Sequence, residues 1–388
     1  MKLVLFLLAV LLLLGLWEMA RHIRHRRRIP LRVHVNGSRG KSSVARLIGA
    51  GLRAGGLRVV AKTTGSAAAF VHVDGTESPI RRRGGPNIRE QLGVFRQAAG
   101  EECDALVIEC MAVRPDLQKA CEHSIVRATH GVITNVRPDH LEVMGPTMDD
   151  VAISLAGTVP KGAKLFTAED AYADYLAERA RKSGSSCRHA TADEVGEEEM
   201  AGFGYIEFAD NVALALAVCE DAGIDRRTAL EGMWRVTPDV GALTRWEYEE
   251  DGKRVGFINA FAVNDPVSYV KVWERLGLLA DPERVVVLMN VRGDRQRRSK
   301  DLAPLLGREL PAARYVLVGE ETAVFADLAR REGISKSQIA DCSRLAAPDL
   351  WGQLAQWTPE GGVVVGIGNI AGIGSRLLDH LRARSRSA

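Results

Sequence analysis

Charge of one sign is scarcely in excess in this 388-residue sequence, where 52 Lys and Arg stand against 49 Asp and Glu for a formal +3. A wholesale nucleic-acid binder spreads its positive excess over the folded body, so the near-balance argues against that class. The small excess is positional: Arg21, Arg24, Arg26, Arg27 and Arg28 follow an apolar N-terminal run, and the remainder is close to neutral. Internal repeats and low-complexity tracts are also missing, which excludes a repeat architecture. The six cysteines, Cys103, Cys110, Cys121, Cys187, Cys219 and Cys342, contain no C-x-x-C pair and no histidine at zinc-ligand spacing. Reduced, packed thiols in a cytosolic domain are expected. A second long apolar run is lacking, so the chain offers one membrane crossing and no channel of its own.

What is present begins with that run, Leu3 to Trp17, which extended to Ala20 spans the hydrocarbon core at about 1.5 Å per residue. A cleaved signal peptide carries its charge before the apolar stretch and a small-x-small site after it, whereas here Lys2 precedes and Glu18-Met19-Ala20-Arg21 follows. The reading is a single-pass helix over 1–20 and a basic juxtamembrane linker over 21–30, with everything C-terminal in the cytoplasm by the positive-inside rule. A signal-like leader and a buried helix are the alternatives. With 46% hydrophobic and 26% charged residues, the rest is long enough for about two or three packed units.

After Pro30, short β-rich runs alternate with amphipathic stretches, the pattern of βαβ units around a parallel sheet. Strands are expected at Leu31 to Val35, Arg58 to Ala61, Ala105 to Ile108 and Gly131 to Thr134, with a helix burying Val44, Leu47, Ile48, Gly51 and Leu52 on one face. Val71-His72-Val73-Asp74-Gly75 reads as a hairpin turn, and Ser183 to Gly202 as a surface connection or loose helical edge. A second block places strands at Val255 to Ile258, Val285 to Met289, Tyr315 to Val318 and Val363 to Gly366. The passage from an ATP-binding domain (31–245) to a smaller Rossmann-like domain (246–388) is expected between Thr237 and Gly256.

Asn36-Gly37-Ser38-Arg39-Gly40-Lys41-Ser42-Ser43 lies between an expected strand and an expected helix, where backbone N–H groups and a helix N-terminus face an anion. Lys41 reaches toward β/γ-phosphates, and the Ser42 hydroxyl suits Mg²⁺. A plain strand-to-helix turn is the bland alternative. The loop departs from the general P-loop pattern, because the position that would need glycine holds Val35.

That shortened loop resembles the phosphate loop of the Mur ligase superfamily, which includes folylpolyglutamate synthases. The resemblance implies a magnesium-binding Glu after a central strand, matched by Glu109 in Ile108-Glu109-Cys110-Met111-Ala112. Thr134-Asn135-Val136-Arg137-Pro138-Asp139-His140-Leu141-Glu142 is similar to the superfamily's T-N-x-x-x-D-H-x-D/E segment. By that match His140 is a metal ligand, and Asn135 and Asp139 shape the nucleotide site. Oxygen donors with one imidazole suit magnesium or manganese and disfavour zinc. Pro238 to Glu247 resembles a G-x-x-x-R-x-E segment whose arginine, here Arg245, contacts the γ-phosphate; pairing with Glu247 or Glu249 is the alternative. Asn264-Asp265-Pro266 resembles an H-N-P segment with Asn264 in place of His, and Asn290 to Arg295 resembles a G-G-D-K/R segment with Asp294 and Arg295 matching. Many superfamily members carry a carbamylated lysine after the D-H segment, but Ser154-Leu155-Ala156-Gly157 has none and Leu155 takes that place.

Longer strings, Val33 to Ser43, Ala61-Lys62-Thr63-Thr64-Gly65, Gly85 to Glu90, Glu109 to Val113 and Gly366-Ile367-Gly368-Asn369-Ile370, are similar to the ligase subunit of capsular poly-γ-glutamate synthases (PgsB/CapB type) over essentially the whole chain. The resemblance implies an ATP- and Mg²⁺-dependent amide ligase that joins glutamate residues through γ-carboxyls by way of an acyl phosphate. It implies as partners glutamate, the growing polymer and other membrane subunits; self-association as a homo-oligomer is also expected. The basic runs Arg81-Arg82-Arg83, Arg89 and Arg292, Arg295, Arg297 and Arg298 are candidates for a polyanion path or simply solvated faces. A kinase or NTPase subunit of a membrane complex, or a nucleotide-binding scaffold, would share Lys41 and Ser42 but leave the second domain unexplained.

Overall fold

The computed structural model describes residues 1–64, 68–82, 85, 87–238, 243–261, 263, 266–293 and 296–385, of which 296–301 and 385 by backbone only. Two compact units divide the chain, Met1–Asp239 and Val240–Ala388.

In the first unit eight strands form one sheet: β1 (Leu31–Asn36), β2 (Val59–Thr63), β3 (Ala69–Val71), β4 (Glu77–Pro79), β5 (Ala105–Glu109), β6 (His130–Ile133), β7 (Lys164–Thr167) and β8 (Ser186–His189). Their order is β4-β3-β2-β5-β1-β6-β7-β8, parallel from β2 through β8 and antiparallel at β3 and β4. β1 is flanked by β5 and β6, so the segments that leave these three strands gather at one C-terminal edge, where open α/β sheets bind ligands.

Helix α2 (Lys41–Ala54) follows β1 directly. Val44, Leu47, Ile48 and Leu52 are fully buried and join Val33 and Val35 in one core cluster, each such side chain contributing about 1.5–3 kcal/mol. On the opposite face Phe70, Leu106 and Ile108 pack with Phe95 of α3 (Glu90–Gly100) and with Cys121, Ile125 and Val126.

The second unit carries β9 (Thr244–Glu250), β10 (Lys253–Asn259), β11 (Val285–Val291), β12 (Arg314–Gly319), β13 (Ile339–Asp341) and β14 (Gly362–Gly368). Their order is β13-β12-β11-β14-β10-β9, parallel except for the β9/β10 pair.

Several details differ from the sequence reading. Helix α1 (Lys2–Arg27) runs unbroken through the segment expected as a linker. Its last turns dock rather than hang free: His22 Nε2 lies 2.9 Å from the Ile125 carbonyl, Arg26 donates to the same oxygen at 3.0 Å, and the His22 ring packs edge-on against Phe95. The division at Asp239 and Val240 lies inside the expected window from Thr237 to Gly256 but ahead of the 245/246 bound, because β9 pairs with β10 and belongs to the second sheet. Within 183–202 lie β8 and the short helix Glu197–Ala201. β8 is an edge strand bonded only to β7, so it needs no apolar alternation. All six cysteines are free, and Cys187 alone is incompletely buried.

Candidate active site

β1 ends at Asn36, and the chain turns through two glycines whose conformations other residues rarely adopt. Gly37 has φ +132°, and a Cβ there would overlap Thr134 Oγ1 and stand 2.8 Å from its backbone nitrogen. Gly40, at φ +78°, is the N-cap of α2, and its Cβ would lie 2.7 Å from Asn211 Oδ1. Between them the turn is stitched to the segment after β6. Ser38 N donates to the Asn135 carbonyl at 3.0 Å and Ser38 Oγ to the Arg137 carbonyl at 2.9 Å. Arg39 N donates to Asn135 Oδ1 at 3.0 Å, while Thr134 Oγ1 and Asn135 Nδ2 donate to the Arg39 carbonyl at 2.6 and 3.1 Å. Asn135 thus acts on the loop's backbone. Asp139 pairs with Arg39 at 3.3 Å.

Lys41 folds back over the turn, its Nζ 2.6 Å from the Gly37 carbonyl and 3.1 Å from that of Ser38. No side chain caps the first turn of α2, so the concave face presents backbone donors and one ammonium together. Ser43 is half-buried in that turn. Asn36 does not join it: its side chain is buried and donates to Gln118 Oε1 at 2.8 Å and Thr158 Oγ1 at 3.1 Å, fastening the strand end rather than facing the loop's mouth.

Glu109 closes β5 at 2% exposure. Its Oε2 accepts from Ser42 Oγ at 2.8 Å and from Thr64 N at 2.6 Å. The hydroxyl and carboxylate oxygens singled out as metal donors therefore meet directly, and this hard-oxygen set suits magnesium or manganese. His140 is placed otherwise. It follows β6 on the other side of β1, sits at φ +44°, is 49% exposed, and has Nδ1 3.2 Å from Glu142 Oε1. No hydrogen bond joins it to Glu109 or Ser42. Leu155 is fully buried among Val136, Met144, Val151 and Ala152, an apolar setting with no bridging group for a second cation.

Side chains that sequence reasoning passed over support this edge. Lys62, fully buried, has Nζ 3.2 Å from Glu90 Oε1, and Arg82 holds the other carboxylate oxygen at 2.7 Å. Burial lowers the Lys62 pKa against the opposing charges of Glu90 and Glu109, while Arg82 and Lys62 keep Glu90 below its ordinary value despite burial. The neighbouring Gln91 donates to the Glu109 carbonyl at 3.2 Å. Behind Gly40, buried Asn211 donates to Glu207 Oε1 at 2.8 Å, and burial raises the Glu207 pKa. A lysine ending an apolar strand was the one visible signal; Glu207 and Asn211 gave none.

In the second unit Arg245 lies on β9, about half exposed and paired with Glu247 Oε1 at 2.7 Å. The strings around Asn290 and Asn369 converge at the ends of β11 and β14: Asn290 Nδ2 donates to the Asn369 and Ala371 carbonyls, and Asn369 N donates back to the Asn290 carbonyl at 3.0 Å. Asn264, Asp265, Asp294, Arg295 and Arg83 lie outside the described residues, as do the side chains of Arg297 and Arg298.

Comparison with known proteins gives the same division. Residues 35–233 match the Mur ligase middle domain, and residues 246–384 match the poly-gamma-glutamate synthase CapB C-terminal domain. The capsule biosynthesis protein CapB of Bacillus anthracis is 36% identical over 95% of this chain and 80% of its own length. The PGA synthase CapB of Bacillus subtilis is 33% identical over 96% and 95%. Among solved structures, E. coli FolC in complex with ADP aligns with a TM-score of 0.66 at 14% identity, covering 95% of this chain and 93% of that one. The bifunctional folylpolyglutamate synthase/dihydrofolate synthase of Yersinia pestis complexed with AMPPNP and Mn ion aligns at 0.67 and 16%, covering 95% and 92%. These likenesses establish the fold, and with the sequence relatives they show that the chain belongs to the Mur ligase family, in the branch that carries the CapB-type poly-γ-glutamate synthase C-terminal domain.

Proposed function

We propose that the chain is an ATP-dependent, ADP-forming amide ligase that extends poly-γ-glutamate. The observation that carries this reading is the Ser42–Glu109 contact at 2.8 Å, set at the strand edge beside the glycine turn and Lys41. The relatives' names supply the substrate: a synthase of poly-γ-glutamate joins glutamate to glutamate.

Ser42 and Glu109 would hold a divalent cation, with His140 as a further proposed ligand on the likeness of its segment. Bound there, such a cation would screen phosphate charge. Lys41 and the backbone donors of α2 position the triphosphate, so that a terminal carboxylate oxygen attacks the γ-phosphorus and ADP departs. The amino group of an incoming glutamate then attacks the acyl carbon, and phosphate leaves. No enzyme nucleophile is used; positioning and charge stabilisation lower the barrier. The role that resemblance gives Arg245, a contact to the transferring phosphoryl group, belongs to the same proposal and suits its fixed charge.

Helix α1 is long and apolar enough to cross a membrane, and the arginines at its end favour the cytoplasmic side for both units. Among the described residues this is one span, too few to line a channel for a polyanion, and we infer that other membrane subunits and further copies of the chain complete the assembly. Incubation of the full chain with ATP, Mg²⁺ and glutamate should yield ADP, phosphate and γ-linked amide in equal amounts. Phosphate retained on an organic product would instead make it a kinase, and ADP without amide an NTPase.

A further inference from the structure

Behind the candidate active edge, on the other face of the first sheet, lies a closed cluster of soft donors that the ligase chemistry does not use. Register sets it there. Val35 pairs with Glu109, and His34 pairs with Ile108, so His34 and the residue after Glu109, Cys110, project to the face opposite Val35 and Glu109. Cys121 reaches the same point from the single π-helical turn Cys121–Val126. The ring nitrogen of His34 and the two sulfurs lie within 4.8 Å of one another, with Cys121 Sγ 3.8 Å from His34 Nε2. Tetrahedral coordination by sulfur and imidazole would bring such a pair to roughly 3.6 Å.

A second observation points the same way. Glu122, next to Cys121 and 1% exposed, holds His34 Nδ1 at 2.8 Å with one carboxylate oxygen and accepts from Ala128 N at 2.9 Å with the other. A carboxylate on Nδ1 fixes the ring so that the Nε2 lone pair faces the sulfurs, the usual support behind a metal-bound histidine. The π turn makes this possible by delivering consecutive residues to opposite ends of one imidazole. His34, Cys110 and Cys121 are 1%, 2% and 0% exposed, so the site would fill as the chain folds. Two thiolates balance a dication and the imidazole adds no charge, so the complex is neutral, which a dry interior favours over the negative complex a monovalent ion would leave.

We propose that His34, Cys110 and Cys121 bind one divalent cation of the zinc class, bracing β1, β5 and the π turn behind the glycine loop. The site differs in donor chemistry from the oxygen set at Ser42 and Glu109, and its test does not depend on turnover. Full-length protein purified without chelator from zinc-supplemented medium should hold about one equivalent of zinc. Refolding with Co²⁺ alone should give sulfur-to-cobalt charge-transfer absorption, which oxygen ligands at Ser42 and Glu109 cannot produce. The absorption should vanish in Cys110→Ser and Cys121→Ser, while Cys187→Ser retains it. Wild-type protein lacking both zinc and that absorption would overturn the proposal. So would recovery of four thiols from wild type and five from Cys110→Ser on denaturation without reductant, showing that Cys110 and Cys121, free in this structure, pair with each other instead.

Discussion

Lys41→Met should reduce amide formation by about 10³-fold, the scale of losing one preorganised donor at developing charge, roughly 3–4 kcal/mol of barrier. The native ammonium has no carboxylate partner among its hydrogen bonds; it rests on the Gly37 and Ser38 carbonyls, 2.6 and 3.1 Å away. Such charge-assisted bonds are worth about 1.5–3 kcal/mol each to the fold, so any loss through unfolding has to be read separately from the loss of the charge. Methionine keeps the length of the stem and removes the ammonium with its charge and its donors. Steady-state ADP release beside circular dichroism separates the effects: intact structure with activity within tenfold of wild type would remove Lys41 from the phosphate's surroundings.

Glu109→Gln should lower turnover by about 10²-fold or more and raise the Mg²⁺ concentration needed for half-maximal rate. Stability should hold, the relief of a buried carboxylate offsetting the loss of an opposing charge near buried Lys62. Glu109 is 2% exposed, and the donors on its Oε2 are a hydroxyl and a backbone amide, neither of them charged. An amide of the same shape still accepts through its carbonyl and relieves a buried charge. Losing function without losing stability marks a group kept for its ligand. Mg²⁺ titrations of ATP turnover alongside urea unfolding read both quantities. An unchanged Mg²⁺ requirement would place the cation elsewhere.

The glycine turn was legible because its constraints are local: positive φ at Gly37 and Gly40, an apolar strand before and an amphipathic helix after. Glu109 was legible as an acid ending an apolar strand. The central strands of both sheets announced themselves through β-branched runs, whereas β7, β8, β9 and β13 were not read as strands; β8, for one, carries no buried stripe from Ser186 to His189. Residues whose meaning depends on distant partners stayed hidden. Lys62 is paired with a glutamate on α3, Asn211 lies against a turn near the start of the chain, and His34 meets Cys121 across 87 positions. No spacing rule finds such pairs, because the packing of the folded unit brings them together, not the chain. Asn36 misled for the complementary reason: its position beside the loop suggested a phosphate contact, but its amide had buried partners in Gln118 and Thr158.

Oxygen tracing tests the central claim most directly. Glutamate labelled with ¹⁸O in the γ-carboxyl, supplied with ATP and Mg²⁺, should pass one labelled oxygen into each phosphate released as an amide forms, because the carboxylate oxygen that attacks the γ-phosphorus leaves with it. Amide formation accompanied by unlabelled phosphate would contradict the account.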